Sequence, residues 1–408
     1  MMVLVVLAPA LPSASIARAD DIDQIRLAAR QLAGSQLSSG MLDFDFDFVT
    51  GRGSGLGSSD GERSAYIARE AGTTYLLAKY LTWSKDTSSA PVIRRLITIL
   101  ASLSLPVSKS VNQQLLEHAR ILSVPFGRSK LQTALGYWGL LYRPNGQGRL
   151  LSYESSYKAA WVGSTALALL AEMEYFRATG DGQFAEIRLA WVEGLRTLHV
   201  PGRGFREYPA SLDEAAYGNG EAWLALANYA ALFPGDERVR ELLANYDDYV
   251  METYSNAPNR QFFSWGAMSA AVRLGSTSDR KFELFIAEQA RHFVDLELPA
   301  AERSDNSCAF VEGLATAASV LGKRDGYGDL SQKLISRIEV EMRRNRGLQI
   351  PLGASELDFV SGASFRSPRL ADHAGAYLMA PGNLYTRIDL TAHCLSALVE
   401  MQSIAKAH

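Results

Sequence analysis

Residues 217–226 read Tyr217-Gly-Asn-Gly-Glu221-Ala-Trp-Leu-Ala-Leu226: small residues, one acid, then an unbroken apolar run. A helix apolar on every side is a buried helix, and a carboxylate in its opening turns needs a reason to be there. Two other stretches repeat the pattern, Tyr66-Ile-Ala-Arg-Glu70-Ala-Gly and Tyr385-Thr-Arg-Ile-Asp389-Leu-Thr. In each, a tyrosine stands four residues before an acid, which on a helix puts ring and carboxylate on one face, a turn apart. These are read as equivalent positions of a repeated unit, with their acids aimed into a shared pocket.

The rest of the chain supports a repeat. Amphipathic or apolar helical patterns cover about residues 22–37, 63–83, 92–103, 112–122, 130–141, 157–179, 185–198, 212–233, 237–254, 263–274, 280–294, 306–321, 328–345 and 384–405. Extended character is confined to Asp43–Val49, where aspartate and phenylalanine alternate, and to short pieces near 204–208 and 348–357. Helices beginning near Arg63, Tyr157, Tyr217, Phe263, Cys308 and Tyr385 are nearly uncharged in their middles. Those near Ile22, Val92, Phe184, Glu237, Lys281 and Asp329 carry a charged stripe. Buried helices alternating with water-facing ones predict an all-α protein, an (α/α)6 toroid with extended segments at its mouth.

Aligning the inner helices puts Glu70, Val162, Glu221, Gly266, Glu312 and Asp389 at one depth, with Tyr66, Lys158, Tyr217, Phe262, Cys308 and Tyr385 four residues earlier. Parallel inner helices bring six positive dipole ends to one end of the ring, where acids are tolerated. The same alignment separates the chain's two cysteines, Cys308 and Cys394, by about nine residues of rise, roughly 13 Å at ~1.5 Å per residue. That is too far for a bond, so two free, buried thiols are expected.

The composition is that of a globular protein: 408 residues, 47% hydrophobic, 21% charged, formal net charge -3. No basic run marks a nucleic-acid surface, and the six histidines show no ligand-like clustering, so neither metal nor cofactor is expected. Residues 1–19, an apolar run too short to span a bilayer followed by Ala17-Arg-Ala19, read as a secretory signal. Residues 20–408 then form one toroidal domain, periplasmic or secreted and without a further membrane segment.

A funnel lined with acids and aromatic rings suits sugars. Glu221 and Asp389, three units apart and so on opposite walls, are the candidate pair for acid–base work on a glycosidic bond; Glu312 and Glu70 are reserves. Tyr66, Arg69, Tyr153, Lys158, Trp161, Tyr208, Tyr217, Trp265, Tyr385, Arg387 and His393 are candidate substrate contacts, with His393 one turn after Asp389 and placed to orient it. Trp223 points away from Glu221 into the core. Asp247-Asp248 lies on a charged outer helix without a third spaced aspartate and is set aside as a diphosphate site.

Arg69-Glu-Ala-Gly-Thr-Thr-Tyr75, Gly220-Glu-Ala222, Glu312-Gly-Leu314 and Arg387-Ile-Asp389 with His393 and Ser396-Ala-Leu398 resemble the signature blocks of bacterial six-hairpin glycosidase-like proteins. These toroids are similar to the catalytic part of glucuronyl epimerases and are associated with exopolysaccharide production. The resemblance implies that Glu221, Glu312, Arg387 and Asp389 are motif positions and that the partner is a bacterial polysaccharide or oligosaccharide. The leading expectation is an endo-acting hydrolase of an exopolysaccharide. The alternatives are a lyase or uronate epimerase, in which Arg69, Arg387 and Lys158 could neutralise a carboxylate, and a non-catalytic glycan-binding component of polysaccharide export machinery.

Overall fold

A computed structural model describes residues 19–53, 56–57, 63–64, 66–107, 148–152, 160–209, 211, 213–297 and 305–405. Residues 1–18 of the segment read as a secretory signal, the helices expected at 112–122 and 130–141, and the candidates Tyr153 and Lys158 lie outside the described residues.

Twelve α-helices stand among the described residues: α1 (Ala19–Gly34), α2 (Ile67–Ser84), α3 (Ala90–Ser102), α4 (Val162–Thr179), α5 (Ala185–Leu198), α6 (Ala216–Leu232), α7 (Glu237–Asn256), α8 (Arg260–Thr277), α9 (Arg280–Val294), α10 (Cys308–Leu321), α11 (Gly328–Arg346) and α12 (Ile388–Ala405). The even-numbered helices form a closed inner ring, each packed on the next, with α12 returning to α2. The odd-numbered helices lie outside it. The first of them, α1, packs on the last inner helix, so the two ends of the chain close the toroid.

Sequence character sorts the layers as expected. In α4 every residue from Val162 to Tyr175 is buried. Water-facing α9 instead buries Phe282, Phe285, Ile286, Phe293 and Val294 on one side while its arginines and lysine face out. Small residues let the inner helices close up: a Cβ on Gly313 would stand 2.9 Å from the Ser264 backbone of α8, so this contact requires glycine. Buried ion pairs join the layers. Glu172 of α4 accepts from Arg188 of α5 at 2.5 and 2.6 Å, and Asp247 of α7 accepts from Arg273 of α8 and from the indole N–H of Trp223. Asp247 and Trp223 are thus structural, and breaking such a pair from one side leaves a buried charge uncompensated.

Nine short strands complete the described residues: β1 (Asp45–Asp47), β2 (Leu56–Gly57), β3 (Arg63–Ser64), β4 (Ser104–Pro106), β5 (Arg149–Leu151), β6 (Glu356–Asp358), β7 (Ser364–Arg366), β8 (Leu378–Ala380) and β9 (Asn383–Arg387). β9 lies between β1 and β8, antiparallel to both, with Asp45 opposite Arg387 and Asp47 opposite Tyr385. The alternating aspartates of residues 43–47 do not form one solvated face: Asp43 is exposed, Asp47 half-buried and Asp45 buried.

β9 corrects two expectations. The last inner helix does not begin at Leu384, because residues 383–387 are taken into the sheet and the helix starts at Ile388, whose N–H donates to the Phe44 carbonyl at 3.0 Å. Tyr385 therefore sits on a strand and is not a helical turn from Asp389. The cysteines are not free either: Cys308 and Cys394 form a disulfide with Cα atoms 4.8 Å apart. Two free thiols would require Glu312 and Asp389 to share a depth. The disulfide instead puts the first residue of α10 level with the seventh of α12, so Asp389 stands about nine residues of rise, roughly 13 Å, nearer the mouth than Glu312.

The bond closes a loop with a sequence separation of 86, for which loop-closure entropy gives a stabilisation of about 4–5 kcal/mol. Peptide mapping without reductant is expected to recover the 308–394 crosslink, and Cys308→Ser with Cys394→Ser to lower the unfolding free energy by a few kcal/mol.

Candidate active site

Glu221 is only partly buried, whereas every other position between Gly218 and Ala230 of α6 is buried. Its carboxylate lies over Gly163 in the first turn of α4, where an added Cβ would overlap Oε2. Among the described residues it has no hydrogen bond or ion pair. Burial raises its pKa to about 8, against the opposing charges of Arg69 and His393, so it is protonated at neutral pH.

Arg69, in the first turn of α2, donates to Asp389 Oδ2 at 2.5 Å. Arg387, the last residue of β9, donates to the same carboxylate through Nε to Oδ1 at 2.5 Å and Nη2 to Oδ2 at 2.8 Å. Asp389 is thus clamped by two guanidiniums, one from its own chain segment and one from across the ring closure. Burial works against the charge of Arg387, but Asp389 more than restores it and its pKa is raised. Glu221 and Asp389, from inner helices three apart, therefore meet electrostatically at Arg69. The phenol of Tyr217, half exposed, feels Arg69, Glu221, Arg260 and Asp389 together, and partial burial raises its pKa.

One tier down, His393 does not orient Asp389. Its Nδ1 pairs with Glu312 Oε2 at 2.7 Å, and its ring meets the edge of Trp265 with centroids 6.2 Å apart. Glu312 is buried, and its Oε1 has no hydrogen-bond partner. Deeper still, Lys79 of α2 pairs with Glu400 at 2.6 Å, donates to Ser396 at 3.0 Å, and is held charged against burial by Glu400 and Glu312. The acids thus lie in tiers instead of one ring.

Glu70 is elsewhere. It is fully buried on the side of α2 that faces the N-terminal segment, and accepts the Leu42 N–H at 2.9 Å. Tyr66 points the same way, its ring edge-on to Phe44 at 5.6 Å, and is half exposed. Trp161 is nearly half exposed at the start of α4, 6.0 Å from Tyr208, an aromatic pair on the rim; Trp265 is buried below it. Tyr385 lies partly buried on β9. Sequence reasoning did not find Gly163, Lys79 or Arg260 as site residues; the small residue directly after the acid level of α4 was the available signal for the first. Among the described residues no cluster of three or more histidine, cysteine or acidic side chains is arranged to hold a metal ion, and no helix is long and apolar enough to cross a membrane.

No protein-family model matches the chain, and no curated protein matches it by sequence. Solved structures do. The α-mannanase of Bacteroides thetaiotaomicron superposes with a TM-score of 0.60 at 7% identity, over 97% of this chain and 99% of that one. The α-1,6-mannanase GH76A of Salegentibacter sp. HEL1_6, as an inactive double-aspartate variant bound to α-1,6-mannotriose, gives 0.58 at 11% identity, over 95% of this chain and all of that one. The fold is the one these two mannanases have. The (α/α)6 toroid expected from the alternation of buried and charged helices is the observed one, and the likeness is one of fold.

Two measurements check this site. Gly163→Ala is expected to displace the Glu221 carboxylate and bring its pKa down toward the ordinary range, with the melting temperature little changed, as followed by carboxyl NMR titration. Glu70 titrates near about 8 when folded, against 4.5 ordinarily, because burial raises it. Its contribution is therefore most favourable below about 4.5 and is lost as pH rises to 8, by roughly a few kcal/mol. Glu70→Gln, which keeps an acceptor for Leu42, is expected to flatten that part of the stability–pH curve in chemical denaturation.

Proposed function

We propose that this protein is a glycoside hydrolase that cuts within a bacterial exopolysaccharide outside the cytoplasm. The observation that carries the reading is Glu221: a partly buried carboxyl over Gly163 with no hydrogen-bond or ion-pair partner among the described residues, its pKa raised by burial, on the inner helix opposite the one that carries Asp389 and His393. A carboxyl kept neutral at pH 7 is what protonation of a leaving sugar oxygen needs. Trp161 with Tyr208 on one part of the rim, and Tyr217 on another, offer flat apolar faces for successive sugar rings, which suits an enzyme acting along a chain. Oxidised Cys308–Cys394 fits a periplasmic or secreted location, as does the N-terminal leader. The mannanase variant is inactivated at two consecutive aspartates. In this chain consecutive aspartates occur at 20–21 and 247–248; Asp21 and Asp247 are buried in ion pairs with Arg346 and Arg273. The acid equipment is therefore this chain's own, and mannan is not the substrate we infer.

A second reading is favoured by one feature. Arg69 and Arg387 outnumber the carboxylate they share, and a surplus guanidinium beside a proton-transfer group is what a uronate lyase or epimerase requires.

Incubation with purified exopolysaccharides separates the readings. New reducing ends are expected. Unsaturated ends absorbing in the ultraviolet would mean a lyase, and binding without any product would mean a glycan-binding component. Glu221→Gln and Asp389→Asn are each expected to lower turnover about 10²–10⁴-fold with folding intact; wild-type rates in both would remove the assignment.

A further inference from the structure

We propose that His393 is the group that accepts the proton opposite Glu221, that Glu312 is its positioning residue, and that Asp389 serves to fix Arg69 and Arg387. This rests on the hydrolase reading above and assigns the second half of its proton transfer.

Geometry separates the two groups that α12 offers. Both Asp389 oxygens accept from guanidiniums, Oδ1 from Arg387 and Oδ2 from Arg387 and Arg69. A proton taken up there would disrupt two ion pairs. His393 is arranged the other way. Its Nδ1 is bonded to a carboxylate that is 1% exposed, which fixes Nδ1 as the donor and leaves the Nε2 lone pair as the acceptor. Nε2 has no partner among the described residues, and the side chain is 21% exposed, so the ring has an open side. The charge of His393 acts on Glu221, which places the two groups in one electrostatic site.

The charged groups facing the imidazole are Glu312 from α10, Asp389 from its own helix, Arg69 from α2 and Glu221 from α6; α8 presents the Trp265 ring. Burial alone would pull its pKa down. Glu312, by charge and hydrogen bond, and then Asp389 more than reverse that, against Arg69, and the net shift is upward. Glu312 thereby stabilises the imidazolium that proton uptake creates, and Lys79 with Glu400 sits behind Glu312.

The step balances. A water oxygen bonds to the anomeric carbon as the bond from that carbon to the leaving sugar oxygen breaks. The leaving oxygen takes the Glu221 proton, and the water's proton passes to His393 Nε2. Glu221 ends as carboxylate and His393 as imidazolium; exchange with solvent resets both.

The test is the pH profile of kcat on whichever exopolysaccharide the wild type cleaves. The expected profile is bell-shaped, its acid limb set by His393 above the ordinary 6.5 and its alkaline limb by Glu221 at about 8. His393→Gln, whose amide can still donate to Glu312, is expected to lower kcat about 10²–10⁴-fold with KM little changed and the melting temperature somewhat lowered, and imidazole to restore part of the activity of His393→Ala. Glu312→Gln is expected to move the acid limb to lower pH, which a purely structural glutamate would not do. Nitrogen-15 NMR of the wild-type ring gives a reading that needs no variant: the neutral form is expected to carry its proton on Nδ1. An Nε2–H tautomer, wild-type kcat in His393→Gln, or an unmoved acid limb in Glu312→Gln would overturn the assignment while leaving the hydrolase reading standing. A wild type that cleaves no glycan would remove both.

Discussion

A ring of six helices exists only if the last meets the first, and at the mouth of this toroid that meeting is an ion pair. Arg69 of α2 reaches Asp389 of α12 across the closure, and Arg387 holds the same carboxylate from the strand that leads into α12. Half-exposed Arg69 would contribute little as an isolated surface pair. Here Asp389 is buried and doubly paired, so loss of one arginine leaves it held by the other, and only loss of both leaves a charge that burial penalises. The same clamp sets the charge at the funnel entrance.

Much of this was legible in the sequence because burial leaves a period. The uncharged middles of α2, α4, α6, α8, α10 and α12 and the charged stripes of α1, α3, α5, α7, α9 and α11 distinguish inner from outer layer without any contact information. Parallel inner helices then force their N-termini together, so Arg69, Gly163, Glu221, Trp265, Glu312 and Asp389, all in the opening turns of different inner helices, had to line one funnel. What a single sequence does not contain is the axial offset of one helix against the next. Strand β9 pulls residues 383–387 into a sheet and starts α12 higher than its pattern implied, which moved Tyr385 off the helix and Asp389 up a tier.

That one offset accounts for the misread cysteines and the misread histidine alike. With Glu312 and Asp389 at one depth, Cys308 and Cys394 fall far apart and His393 has only Asp389 for a partner. With α12 shifted, the cysteines meet, and Glu312 comes within reach of the histidine next to Cys394. Pairing the two cysteines first would have fixed the offset between α10 and α12. Glu70 went astray for a different reason. Residues 69 and 70 of a helix point about 100° apart, so only one of them can face the axis, and the arginine does.

The buried charges of the core are tolerable because they come as successive couples down the axis. Asp389 is held between Arg69 and Arg387, Glu312 pairs with His393, and Glu400 pairs with Lys79. Each couple removes most of the cost of the charges in it, and neighbouring couples act on one another, since Lys79 responds to Glu312 as well as to Glu400 and His393 responds to Asp389 as well as to Glu312. Glu221 stands outside this sequence. It has no cation of its own, and burial leaves it neutral. A core built only for stability would have filled that position with an apolar side chain, as it did at every neighbouring position from Gly218 to Ala230 except the polar Asn219 and Asn228. Asn219 bonds to the Phe205 backbone and to Glu214, and Asn228 to the Leu224 carbonyl and Arg177. Glu221 alone in that run has its polar atoms left for something that enters the funnel.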